Sequence, residues 1–281
     1  MQNKSTINLD FTINSGQTFL WEKIGDAWFG VNGGELLVIA EPFRIVSSSK
    51  NARYFFRHGD NMSKILSSIN KDTLVRTAVE QFPGLRLMRQ DPFQCYISFI
   101  CSSNSSIRNI KNMLTRLCRK FGNKVEFENH QFSTFPSAGT LANATIKDLL
   151  SCGLGFRAKY VREAAKAVNS GKIEFEALRK TDYRTAQDML KTVQGIGNKI
   201  ADCILLFSLD KLESFPIDRW TQRILQKYYP EIFDITHGKS LTEKKYTHLH
   251  EKIVEYFGPY AGYSQQFLFK MERDLNKKKW L

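Results

Sequence analysis

Lys199 and Asp218 are the residues whose types and spacing suggest covalent chemistry. A lysine amine is a carbon nucleophile once neutral. At its reference pKa only roughly one amine in two thousand is neutral near pH 7. Burial and the positive end of a helix dipole both favour the neutral form. Asp218, nineteen residues further on and just past Pro216, can hold a developing cation or move protons.

The elements around this pair give it a setting. Tyr183 to Val193 has Met189, Leu190 and Val193 near helical spacing. A tight Gly195-Ile196-Gly197 turn follows, then a second helical run with Ile200, Cys203, Ile204 and Phe207 at i, i+3, i+4 and i+7. The first amides of that second helix have no intrahelical partner. They form an anion site, and a phosphate is the natural guest. The glycines permit positive φ and a close approach of backbone to phosphodiester. A phosphate clamp, an amine and a carboxylate together can cut an N-glycosidic bond in DNA. Taken singly, a Gly-x-Gly turn is also a plain connector, a first-turn lysine a solvated charge, and an Asp after Pro a cap.

The segment VQGIGNKIADC, followed by FPID, resembles the helix-hairpin-helix, Gly/Pro-Asp family of DNA glycosylases. The lysine marks bifunctional members, and ADC resembles the 8-oxoguanine DNA glycosylase branch. The resemblance implies that Lys199 is the Schiff-base nucleophile and Asp218 the catalytic carboxylate. It implies a phosphate-binding hairpin over Gln194, Gly195, Gly197 and Asn198, often with a monovalent cation on hairpin carbonyls. It implies no other cofactor and no catalytic metal.

Four further motifs match the branch in the same order, so the resemblance runs from Asn8 to about Met271. A base within a duplex must be extruded before it can be cut. SGQTFLW would place the Gly16 carbonyl against N7–H, which 8-oxoguanine has and guanine lacks. GPYAGYSQQFLFK would supply Gln265 for the Watson–Crick edge and Phe269 for stacking, at i and i+4 on one helix face. By spacing alone that pair reads as a solvated amide and core packing. Cys203 completes the implied base pocket. ICSSNSSIRN and GLGFRAKYV would bring Asn104 and Arg157 to the estranged cytosine, with Phe156 wedged into the stack.

Three positions depart from the vertebrate-type pattern. Arg108 stands one residue before the expected arginine, whose place Asn109 takes, which loosens the expected reading of cytosine. Trp220 replaces a phosphate-contacting histidine and is carried over only as a pocket wall. Phe156 replaces a tyrosine and keeps an aromatic wedge.

Composition agrees with a polyanionic partner. The chain has 281 residues, 41 Lys and Arg against 28 Asp and Glu, and a net charge of +13. No apolar run approaches the ~20 residues of a membrane span, and no secretory signal is visible at the N-terminus. The five cysteines are unevenly spaced, which argues against a disulfide framework or a zinc site. None follows Cys203, so the iron–sulfur loop of some relatives is not expected.

The expected fold is α+β, an N-terminal antiparallel β-sheet domain plus a helical helix-hairpin-helix domain. The bounds are 1–90 for the β-rich part, 91–230 for the glycosylase domain and 231–281 for C-terminal helices completing the base pocket. Ile7, Leu9, Phe11 and Ile13 alternate with polar residues and predict a half-buried strand. Trp28–Val31 and Leu36–Ile39 flank Asn32-Gly33-Gly34 as a hairpin, and Ile45-Val46 adds an edge. A sheet with one covered face is expected there, and α structure throughout Phe93–Tyr229. Thr236–Glu243 reads as a polar loop and Lys277–Lys279 as a solvated tail. The expected activity is excision of 8-oxoguanine from duplex DNA with lyase cleavage, by a monomer of the cytoplasm and nucleoid, or the nucleus in a eukaryote. The rivals are a glycosylase for alkylated purines or oxidised pyrimidines, and a non-catalytic DNA-binding module.

Overall fold

Alternation at the N-terminus turns out to be helical. In the computed structural model, which describes residues 6–47, 51–235 and 241–276, helix α1 (Leu9–Ile13) replaces the expected strand. The Asn8 side chain caps it, accepting the Phe11 amide at 2.8 Å. Leu9, Thr12 and Ile13 are the buried positions, at i, i+3 and i+4. Thr12 misled the pattern because it is polar yet buried. Its hydroxyl accepts the Arg86 amide at 3.1 Å and donates to the Gly84 carbonyl at 3.5 Å, so the buried side chain is satisfied.

The expected sheet follows: β1 (Trp21–Ile24), β2 (Ala27–Asn32), β3 (Glu35–Ala40) and β4 (Arg44–Ile45), antiparallel in chain order. Asn32 pairs with Glu35 across the Gly33-Gly34 turn. Both faces are covered, not one. Phe29, Val31 and Val38 join the main core. Trp28, Leu37 and Ile39 meet α1 and α2 (Ala52–Phe55) on the other side. The unbroken apolar run Leu36–Ile39 is the reason, since two-sided burial removes alternation.

Helices α3 (Met62–Ile69), α4 (Thr73–Gln81), α5 (Pro92–Cys101) and α6 (Ile107–Phe121) come next. A hairpin, β5 (Lys124–Phe127) and β6 (His130–Ser133), then interrupts the stretch expected to be all α. Each strand has only four residues, too few for a period to emerge. Tertiary contact holds the hairpin: the Phe29 and Phe132 rings stack at 5.2 Å.

The rest is helical: α7 (Ala138–Asn143), α8 (Ile146–Ser151), α9 (Arg157–Asn169), α10 (Phe175–Lys180), α11 (Tyr183–Lys191), α12 (Asn198–Ser208), α13 (Arg219–Tyr228), α14 (Glu243–Phe257) and α15 (Ala261–Leu275). Helix α12 is the axis of this body. Every residue from Ile200 to Ser208 is buried, and α5 and α11 pack against it. Helix α15 leans on α4 and α13, joining the C-terminus to the N-terminal part. Just past α12, Asp210 gathers Arg57, Arg89 and Arg179 at 2.6, 2.8 and 2.7 Å. All five cysteines are free and buried. Among the described residues no helix is long and apolar enough to cross a membrane. Residues 236–240 of the expected polar loop and the Lys277–Lys279 tail lie outside the described residues.

Candidate active site

The hairpin between α11 and α12 is shaped by Gly195. Its φ is +94°, and a Cβ there would lie 2.6 Å from the Tyr160 ring. Only glycine satisfies both the backbone and the contact with α9. Gly197 caps α12 without a side-chain hydrogen bond, and a Cβ on it would meet nothing within 4 Å. The first amides of α12 are therefore open to an anion. Gln194 is exposed beside them. Asn198 is engaged from the side, giving Nδ2–H to Glu243 at 2.8 Å, while its Oδ1 is buried without a partner. Lys191 pairs with the same Glu243 carboxylate.

Lys199 lies in the first turn of α12, half-buried. Its Nζ is 3.2 Å from Ser102 Oγ and 5.4 Å from the centre of the Phe99 ring. Asp218 is the N-cap of α13, and its Oδ1 accepts the Trp220 and Thr221 amides at 2.9 and 2.8 Å. Lysine and aspartate line one cleft of about 1260 Å³, with Ser102, Asn104 and Trp220 on its walls. Both act on Cys203, one turn beyond Lys199. Burial pushes that thiol up to about 12, with Lys199 drawing it down and Asp218 pushing it up. Cys203 is an inert buried thiol, not a second nucleophile.

Gly16 has φ +89° and lines a neighbouring cavity of about 470 Å³ with Phe19, Ile107, Arg108, Lys111 and Arg273. Phe269 reaches it: its ring edge is 3.2 Å from where a Gly16 Cβ would stand. Gln266 donates to the Ser15 carbonyl at 3.0 Å and fixes α15 against this turn. Gln265, one turn before Phe269, is buried, and its Oε1 has no hydrogen-bond partner. An orphaned buried amide oxygen is costly unless a ligand supplies a donor. The Gly16 cavity and the Lys199 cleft share no lining residue. Phe99, under Lys199, meets Phe19 of the Gly16 cavity edge-on at 5.8 Å, so one ring contact links the two.

The residues expected at the opposite strand also cluster. Phe156 is 58% exposed at the start of α9, and the Arg157 guanidinium lies 4.4 Å over its ring. Asn104 is exposed, with φ +49°. Arg157 does not project outward. It is buried and donates from Nε to the Ser103 carbonyl at 2.9 Å and from Nη2 to the Asn104 carbonyl at 3.0 Å. In this state it shapes the loop that carries Asn104. Trp220 lines the cleft, as its place in the sequence implied.

Two residues were missed. Ser102, partner of Lys199, lies inside a motif from which only Asn104 had been taken. Arg273 lies beside Gly16, donating to the Asn14 carbonyl. Its position four residues after Phe269 on α15 was the available signal.

Residues 97–251 match the model of the HhH-GPD superfamily of base excision DNA repair proteins, and residues 1–96 match the 8-oxoguanine DNA glycosylase N-terminal domain. The chain belongs to the HhH-GPD superfamily. Among HhH-GPD relatives, N-glycosylase/DNA lyase OGG1 of Arabidopsis thaliana is 29% identical, over 96% of this chain and 79% of that protein. The structure of MBOgg1 in complex with a low-affinity DNA ligand superposes with a TM-score of 0.86 at 29% identity, covering 96% of this chain and 93% of that one. The Clostridium acetobutylicum 8-oxoguanine glycosylase/lyase, bound to double-stranded DNA with cytosine opposite 8-oxoG, gives 0.85 at 27% identity, with coverages of 96% and 93%.

Proposed function

We infer that this HhH-GPD protein excises 8-oxoguanine from duplex DNA and cleaves the strand as a lyase, in base excision repair. The observation that carries the chemistry is that Lys199 and Asp218 line one cleft at the open end of α12. The substrate follows from relatives of full-length similarity, named N-glycosylase/DNA lyase and 8-oxoguanine glycosylase/lyase. Gln265 and the Gly16–Phe269 contact supply the base-reading groups.

The lone pair of the Lys199 amine attacks C1′ as the bond from C1′ to the base nitrogen breaks, and the base leaves with its electron pair. Asp218 stabilises the positive charge that develops on the sugar. Opening of the C1′–O4′ bond converts the adduct to an imine and leaves a hydroxyl on C4′. Removal of a C2′ proton then expels the 3′-phosphate. The flipped nucleotide's backbone rests on the amides of α12 and the exposed hairpin. A monovalent cation fits this donor set, since the hairpin carbonyls and the buried Asn198 Oδ1 are neutral oxygen ligands; it would add positive charge for the phosphate. Work on DNA places the protein with the chromosome, in a nucleoid or a nucleus.

Borohydride is expected to trap the imine as a covalent complex on a duplex with one 8-oxoguanine opposite cytosine. A wild-type protein that yields neither complex nor nick would refute the scheme. Competing duplexes with an alkylated purine or an oxidised pyrimidine should be cut more slowly.

A further inference from the structure

Beneath the cleft lies a carboxylate that the scheme above does not use. Asp202 follows Lys199 by three residues on α12 and is fully buried. Its Oδ1 accepts Tyr183 Oη–H at 2.6 Å and Gln187 Nε2–H at 2.7 Å, both from α11. Its Oδ2 accepts Tyr246 Oη–H, from α14, at 2.5 Å. Its backbone carbonyl accepts Ser214 Oγ–H at 3.0 Å. The Tyr246 oxygen in turn accepts the Ile217 amide at 3.1 Å, and Ile217 directly precedes Asp218.

We propose that Asp202 and Tyr246 are positioning residues for catalysis, which set the Asp218 carboxylate relative to the Lys199 amine. The proposal rests on the glycosylase reading of those two residues. Helix α12 carries the amine, and the 214–218 segment carries the carboxylate. The Asp202–Tyr246–Ile217 chain of hydrogen bonds spans from one to the other along the wall of the cleft, which Tyr246 and Ile217 both line. Ser214 adds a second tie to the same segment.

The composition of the network argues for a purpose beyond adhesion. The hydrogen-bond partners of Asp202 are neutral hydroxyls and an amide, so a buried carboxylate here is costly. Apolar side chains of similar volume would hold three helices together at least as well. What apolar packing does not give is a fixed direction, and hydrogen bonds at 2.5 to 3.1 Å do. Reaction between an amine and C1′ depends on direction: a misplacement of ~1 Å can cost about a hundredfold in rate.

The test is a double-mutant cycle on single-turnover excision of 8-oxoguanine, using wild type, Tyr246→Phe, Asp218→Asn and the double variant. Tyr246→Phe deletes one oxygen and keeps the ring. It is expected to slow excision by about tenfold to a hundredfold while affinity for a duplex with a tetrahydrofuran abasic site changes less than about twofold. In the Asp218→Asn background the same change should cost less than about threefold, since coupled residues are non-additive. Equal losses in both backgrounds, or a Tyr246→Phe rate within about twofold of wild type, would overturn the proposal. If Tyr246→Phe does not fold by circular dichroism, Asp202→Asn goes through the same cycle. Failure of both to fold also overturns it, because the network is then a requirement of folding. Wild type inactive on this duplex would instead sink the glycosylase reading itself.

Discussion

The Lys199 amino group lies 3.2 Å from the Ser102 hydroxyl, which joins the first turn of α12 to the end of α5. That contact ties the amine to the wall of the cleft that Asp218 also lines. Lys199→Gln keeps length and hydrogen bonding but has no nucleophile. It should give no borohydride adduct and no nicking, yet bind the lesion duplex within about threefold of wild type in a gel shift, since binding rests on other contacts. Residual nicking at a tenth of the wild-type rate would remove Lys199 from its role.

Asp218 does two jobs that a single substitution separates. As N-cap it accepts two amides, and asparagine caps about as well. As a carboxylate it faces the developing cation, which asparagine cannot stabilise. Asp218→Asn should therefore unfold within about 1 kcal/mol of wild type in urea while losing at least about a hundredfold in single-turnover excision. Parallel loss of stability and rate would make it a structural cap only.

Gly16→Ala tests the lesion pocket. Its φ of +89° strains any side chain, and the new methyl meets Arg273 at 2.7 Å and the Phe269 ring at 3.2 Å. Arg273 is flexible and can yield, whereas the ring is the proposed stacking platform for the base. Excision of 8-oxoguanine should fall by about tenfold or more. Trapping on a pre-formed abasic site, which has no base, should be unchanged. Loss of both reactions alike would show that the glycine serves the fold instead.

The buried polar cluster predicts an acid-side signature. Burial raises the Asp202 pKa from 3.8 to about 6. It lowers that of His250, stacked on Tyr183 at 4.4 Å, from 6.5 to about 4. A raised carboxyl contributes stability that is present below pH 3.8 and is lost as pH rises through 6. A depressed imidazole contributes stability that is present above pH 6.5 and is lost as pH falls through 4. The two slopes oppose each other in wild type. Asp202→Asn removes the first, so its melting temperature relative to wild type should climb from about pH 4 to about pH 6. A difference that stays flat would mean the carboxyl does not titrate there.

That Lys199 and Asp218 share a cleft was legible because the signal is local: a glycine turn, an open helix start and an aspartate at a cap occupy one stretch of chain. Gly16 and Phe269, 253 positions apart, were paired only through the resemblance, and no periodicity could have joined them. What escaped was set by tertiary contact. Thr12 reads as outward because it is polar, although Gly84 and Arg86, far along the chain, satisfy its hydroxyl inside. The β5–β6 hairpin exists because Phe132 has Phe29 to lie on. Arg157 reads as a DNA contact by type, and only the fold shows the Ser103 and Asn104 carbonyls that hold it.

Two phenylalanines in edge-on contact, Phe19 on the wall of the Gly16 cavity and Phe99 under the Lys199 amine, link the two spaces. A shift of the Phe19 ring reaches the amine through a single ring contact, so packing beside Gly16 and placement of the nucleophile are mechanically joined.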